Sequence, residues 1–288
     1  MAKPENIIDT LALERIEVNL FRGHAPKNEG PRIFGGLVIA QALRAAYATV
    51  EQSLCHSLHC YFLRPGDPSI PILFDVDRAR NGRSFSTRRV TAIQHGEQIF
   101  NLAASFQHPE EGVEHQEPMP DVPSPEDLAD EQELRRALTE NLPPLMRQMA
   151  ARPRPIDMRP VDPQNFMAGK PAPPVQYVWM RSSQPIGADP VFNQAVLAYA
   201  SDMSFLSTAM RPHGLSWQTG GLQTASIDHA MWFHRPSNFS DWHLYVQKSP
   251  SASGARGFNL GEIYTRDGVL VASTAQEGLM RYRPPLTD

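Results

Sequence analysis

Apolar and polar positions along the chain fall into two similar passages separated by a segment of a different kind. After Gly35-Gly36 comes LVIAQALRAAYATV, almost wholly apolar and rich in strong helix formers, which predicts a helix buried on most sides. A second helix is predicted over VFNQAVLAYASDMSFLSTAM, where Asp189 supplies an N-cap and Pro190 a first-turn proline. Strands follow both helices. SLHCYFLRPG at Ser57 to Gly66 is echoed by SIDHAMWFHRPS at Ser226 to Ser237, with a shared Phe-x-Arg-Pro ending and an upstream histidine. RSFSTRRVTAIQHGEQIFNLAASFQ is echoed by RGFNLGEIYTRDGVLVASTAQ, with His95-Gly96 and Asp267-Gly268 as hairpin turns between alternating runs. Hairpin-linked strands are antiparallel, so each passage predicts a curved antiparallel sheet wrapped on one long helix, an α+β fold. The two copies occupy residues 1–108 and 175–288.

Residues 109–174 read as a linker. Fourteen of the 27 prolines lie between Pro109 and Pro174, and Glu110 to Glu133 holds ten acidic residues and no Lys or Arg. A short helix is expected within it, around Asp130 to Met149. This acidity sets the net charge of −4, so the flanking passages are mildly basic, as suits a binder of anionic small molecules; a solvated linker explains the acidity equally well.

With 288 residues, 41% hydrophobic and 20% charged, the chain is long enough for a sizeable core and has no basic surplus for gripping nucleic acid. The longest mostly apolar run, Phe34 to Tyr47, contains Gln41 and Arg44 and is shorter than the ~20 residues that span a bilayer. No membrane partner is therefore expected. The start Met1–Lys3 leads into Pro4, Glu5 and Asn6 rather than an apolar signal core, so a cytoplasmic protein is expected. Cys55 and Cys60 lie in a strand-like run that points them to opposite faces, which predicts two reduced packing residues.

Candidate chemistry gathers in the second copy. Asp202 has Ala198, Tyr199, Phe205 and Leu206 as helical neighbours, so its carboxylate leaves an apolar stripe, where burial raises a pKa and makes a general base. A helix-edge aspartate bonded to Ser201 or Ser204 and facing water is the alternative. Gln276 follows Leu270, Ala272 and Thr274 on one strand face, where an amide can hold a water or polarise a carbonyl, or simply cover the surface. Ser226 is either an ordinary strand hydroxyl or one that orients a water. Asp228 alternates onto the face of Ser226 and is a second candidate base or a hydrogen-bond support. His56, His59, His229 and His234 invite a metal, but His229 and His234 point to opposite faces and no HExxH pattern exists, so no metal is expected. Arg64, Arg83, Arg88, Arg235 and Arg256 could meet phosphates or be paired.

The motifs FRG, FGG, HSLHCYFLRPGD, IDHAMWFHRP, SASGARGF and DGVLVASTAQEGLMR, in this order along nearly the whole chain, resemble those of the acyl-CoA thioesterase II family. The resemblance implies a double hotdog fold and hydrolysis of acyl-CoA to free acid and CoA, with no metal or organic cofactor. It also implies a water-binding trio of Asp202 in YASDMSFL, Ser226 in TASIDH and Gln276 in STAQEG; family members often have Thr at the Ser226 position. A dimer or tetramer is expected. Thioester cleavage needs little acid assistance because a thiolate leaves readily, so one base and an oxyanion donor suffice; Gly35 or Gly36 at a helix start is a candidate donor. Competing readings are a hotdog enoyl-CoA hydratase, a non-catalytic acyl-CoA-binding protein, and a serine hydrolase with an acyl-Ser226; a GxSxG turn is missing for the last.

Overall fold

A computed structural model describes residues 6–26, 30–139, 154–163, 169–217 and 219–283. In the first half α1 (Ile7–Thr10), β1 (Glu14–Arg15) and β2 (Leu20–Gly23) precede the long α2 (Gly35–Tyr47), followed by β3 (Leu54–Phe62), β4 (Ile72–Asn81), β5 (Phe85–Gln94) and β6 (Glu97–Gln107). Between the halves lie α3 (Glu131–Thr139) and β7 (Ile156–Pro160). The second half runs through β8 (Val175–Ser182), α4 (Pro190–Ser201), α5 (Ser207–Met210), β9 (Leu222–Ser226), β10 (Asp228–Phe233), β11 (His243–Ser253), β12 (Arg256–Thr265) and β13 (Leu270–Tyr282).

The strands form one sheet in the order β1-β2-β4-β5-β6-β3-β10-β13-β12-β11-β8-β7, with β9 paired to β13. The order β2-β4-β5-β6-β3 is mirrored by β8-β11-β12-β13-β10 about an antiparallel β3–β10 seam. There Leu58 pairs with Met231 and, symmetrically, Cys60 with His229. This is the expected α+β double hotdog, with the two halves fused edge to edge.

Helix α2 is buried as its composition predicts. Leu37, Ile39 and Leu43 have no exposed surface, and full burial of such a side chain contributes about 2 kcal/mol. It crosses α4 closely, since a Cβ on Gly36 would stand 2.3 Å from the Tyr199 carbonyl oxygen. Asp189 caps α4 as expected, accepting from the Val191 N–H, with Pro190 in the first turn.

The structure departs from the sequence reading in three places. The second helix is shorter than its apolar run: α4 stops at Ser201, and Ser204 turns left-handed at φ 60° before α5 begins. A pair of glutamines holds this turn, because Gln247 Nε2 donates to Ser204 Oγ at 3.1 Å and Gln176 Nε2 to Ser204 O at 3.0 Å. Serine and aspartate favour such breaks because their side chains compete for backbone groups.

The cysteines do not point to opposite faces. An extra residue at His56 shifts the register between β3 and β6, so Cys55, Leu58 and Cys60 are all buried, and both thiols are free.

The proline-rich segment also holds more structure than a solvated linker would. Strand β7 pairs with β8, Trp179 Nε1 donates to Pro123 O at 2.9 Å, and Arg266 and Arg235 reach Glu126 and Glu114. Helix α3 answers the expected helix from Asp130; residues 140–149 of that expectation lie outside the described residues. No helix among the described residues is long and apolar enough to cross a membrane.

Candidate active site

Asp202 is the C-cap of α4, so the helix that ends there delivers its carboxylate against the start of α2 from the other half. A Cβ on Gly35 would lie 2.7 Å from Asp202 Oδ2, and the Gly36 N–H donates to the same carboxylate. The positive end of α2 thus faces the acid. Ser226 closes β9, and its Oγ lies 3.3 Å from Asp202 Oδ1. Gln276, buried on the core face of β13, donates Nε2 to the same Oδ1 at 2.6 Å and lies 3.3 Å from Ser226 Oγ. Its Oε1 is buried with no partner among the described residues. The three residues implied by the resemblance meet on one carboxylate oxygen.

Burial pushes the Asp202 carboxyl up to about 6, outweighing the downward pull of Gln276, Gly36 and Ser226. A carboxylate at that value is largely ionised at neutral pH yet basic enough to take a proton from water. The water-facing helix-edge alternative does not describe it: Ser201 Oγ donates to Ala198 O and Ser204 Oγ accepts from Gln247.

Asp228 leaves the group. Its Oδ1 accepts from the Glu277 N–H at 2.6 Å, which makes it a backbone support, although partial burial also raises its carboxyl. The cause is Ile227, an extra residue between β9 and β10 whose N–H donates to Glu277 O while its carbonyl accepts from the Phe62 N–H. That residue shifts the alternation by one and turns His229, not Asp228, toward Gln276 and Ser201. His229 is fully buried, with Nδ1 3.3 Å from Gln276 Nε2 and Nε2 3.0 Å from Ser201 Oγ. Burial drives its pKa down to about 3, so the ring is neutral. Sequence alternation considered His229 only as a metal ligand; the signal that could have found it is the echo of the two Phe-x-Arg-Pro strands, which sets His229 where the first half has the apolar Leu58.

The other histidines are dispersed. His56 bonds Ser105, His59 packs edge-on against Trp232, and His234 bonds Ser273. Among the described residues no cluster of His, Cys, Asp or Glu could hold a metal ion. Of the arginines, Arg64, Arg235 and Arg256 are ion-paired with Glu97, Glu114 and Glu277. Arg88 is buried against Thr49 and Asn81, and Arg83 is exposed.

Two mirrored halves of one antiparallel sheet, each wrapped on a helix, with a carboxylate at the meeting of the two helices, define a hotdog-class protein. Comparison with known proteins narrows this. Residues 24–107 match the model of the acyl-CoA thioesterase N-terminal domain, and residues 146–279 match that of acyl-CoA thioesterase. The chain is 41% identical to acyl-CoA thioesterase 2 of Haemophilus influenzae over 96% of its own length and 97% of that protein. It is also 41% identical to human acyl-coenzyme A thioesterase 8, covering 98% of this chain and 91% of that one. The crystal structure of an acyl-CoA thioesterase II from Mycobacterium marinum superposes with a TM-score of 0.78 at 42% identity, over 96% of this chain and 98% of that one. The chain belongs to the acyl-CoA thioesterase family.

Proposed function

We propose that the protein hydrolyses acyl-CoA thioesters to a free acid and CoA by direct attack of a water on the acyl carbonyl carbon. Asp202 takes the water proton as the C–O bond forms. The tetrahedral oxyanion then collapses with cleavage of the C–S bond, and the departing thiolate takes up a proton. Gln276 and Ser226 fix the carboxylate and orient the water, with Gln276 Oε1 as an acceptor for it. The Gly36 N–H is engaged by Asp202, which leaves the Gly35 N–H as the candidate oxyanion donor.

The observation that carries this reading is the convergence of Ser226 and Gln276 on Asp202 Oδ1, beside a helix start. A covalent acyl-Ser226 is less supported, because His229 pairs with Ser201 and Gln276 rather than with Ser226. The deciding experiment measures thiol released from a panel of saturated acyl-CoAs. Release by the wild type and its loss in Asp202→Asn is the expected result. A hydratase would act only on enoyl-CoA, and a binding protein would release no thiol.

The division into 1–108, 109–174 and 175–288 belongs to this reading, as do a dimer or tetramer in solution and a cytoplasmic setting. The two free thiols suit a reducing compartment. Light scattering on the purified chain tests the assembly.

A further inference from the structure

The two halves are copies of one plan, so each residue of the site has a counterpart whose identity can be read. Phe34 and Asp189 are the two helix N-caps, Phe62 and Phe233 begin the Phe-x-Arg-Pro endings, and His95-Gly96 and Asp267-Gly268 form the two hairpins. Cys55 pairs with Phe106 as Ser226 pairs with Gly278. Superposing these landmarks matches Ser201 with Ala46, Asp202 with Tyr47, Ser226 with Cys55, His229 with Leu58 and Gln276 with Ala104. The first half fills this place with the Tyr47 ring, whose hydroxyl donates to Gln194 and accepts from the Cys55 N–H.

Leu58 and His229 are both fully buried at equivalent places on the seam. The fold therefore accepts an apolar side chain there, and packing does not call for an imidazole. Burying a ring with two polar nitrogens costs free energy unless both are bonded. They are bonded, and only to groups that are themselves polar in this half alone: Gln276 and Ser201. Ser201 Oγ passes the contact on to Ala198 O at 2.9 Å, so it is free to accept from the imidazole Nε2–H. This sets the tautomer, leaving Nδ1 as an acceptor toward Gln276.

We infer that His229 is a positioning residue of this site: its Nδ1 takes one hydrogen of the Gln276 amide and thereby holds the other on Asp202. The Nε2 of Gln276 has two hydrogens and three acceptors in range, Asp202 Oδ1 at 2.6 Å and Ser226 Oγ and His229 Nδ1 at 3.3 Å. Ser226 is itself a donor to Asp202 and can release the amide. A flipped amide would face its oxygen toward both a carboxylate and an imidazole lone pair, so His229 makes the productive orientation the single favourable one. The inference rests on the proposed roles of Asp202, Ser226 and Gln276 and extends them by one residue.

The test uses His229→Leu, which copies the first half, and His229→Asn, whose Oδ1 can replace Nδ1 as acceptor. His229→Leu is expected to lower kcat about tenfold with KM within twofold of wild type, and His229→Asn to recover most of the loss. In a Gln276→Ala background His229→Leu should have no further effect, since it acts through the amide it no longer has. Wild-type kcat in His229→Leu, no recovery in His229→Asn, or multiplying losses in the double variant would overturn the positioning role. Wild-type turnover in both Asp202→Asn and Gln276→Ala would instead overturn the underlying site.

Discussion

Gly35 and Asp202, from opposite halves, are in such close contact that the Cβ missing from Gly35 would stand 2.7 Å from the carboxylate Oδ2 and 3.0 Å from the Phe62 ring. Gly35→Ala must therefore displace either the acid or the ring. Alanine favours a helix, so folding should be retained while kcat falls on the order of tenfold. Thiol-release kinetics beside a thermal melt measure both, and an unchanged kcat would show that the carboxylate has room to move.

Asp202→Asn should separate activity from stability. Loss of the base is expected to reduce kcat by about 10²–10⁴. Stability should move the other way. The folded carboxyl titrates at about 6, above the unfolded value of ~4. Its ionisation opposes folding, and the stability present at low pH is lost as pH rises through about 6. Asparagine removes that cost, which reaches up to about 3 kcal/mol at pH 8 and vanishes below pH ~4. Melting temperatures of the two proteins at pH 8 and pH 4 check the sign. Wild-type kcat/KM should follow the opposite course, falling as pH drops through about 6.

Substitution at Ser226 distinguishes water attack from covalent catalysis. A hydroxyl that only orients water survives in Ser226→Thr, which should keep much of the rate, whereas Ser226→Ala should lose part of it. Rapid quench followed by intact mass should find no acyl adduct on the wild type. A stoichiometric adduct mapped to Ser226 would make it the nucleophile.

Activity should survive dialysis against EDTA unchanged, since the site donates one carboxylate, one hydroxyl and one amide. Loss of rate restored by one specific divalent ion would contradict this chemistry.

Period-2 and helical patterns made the two halves of the sheet, the two long helices, the hairpins and the cap at Asp189 legible, because each is written in local alternation or capping chemistry; the joining of the halves into one sheet at the β3–β10 seam was not. What escaped depended on single irregular residues. Ile227 and His56 each add one residue to a strand, and a one-residue slip exchanges the two faces beyond it. This exchanged Asp228 for His229 at the site and brought Cys55 and Cys60 to one face. The break after Ser201 escaped for a similar reason: an apolar run conceals a turn held by Gln176 and Gln247, which are distant in sequence. Strand β7 was hidden in proline-rich chain because only its pairing with β8 makes it a strand.

The seam between β3 and β10 has a consequence in mass action. Gly35 and Gly36 belong to one half, and Asp202, Ser226 and Gln276 to the other. Were the halves separate chains, the site would exist only above the concentration at which they associate. Joined in one chain, they meet at an effective concentration set by the connecting segment. Dilution lowers the number of sites in proportion to protein, and leaves each remaining site whole.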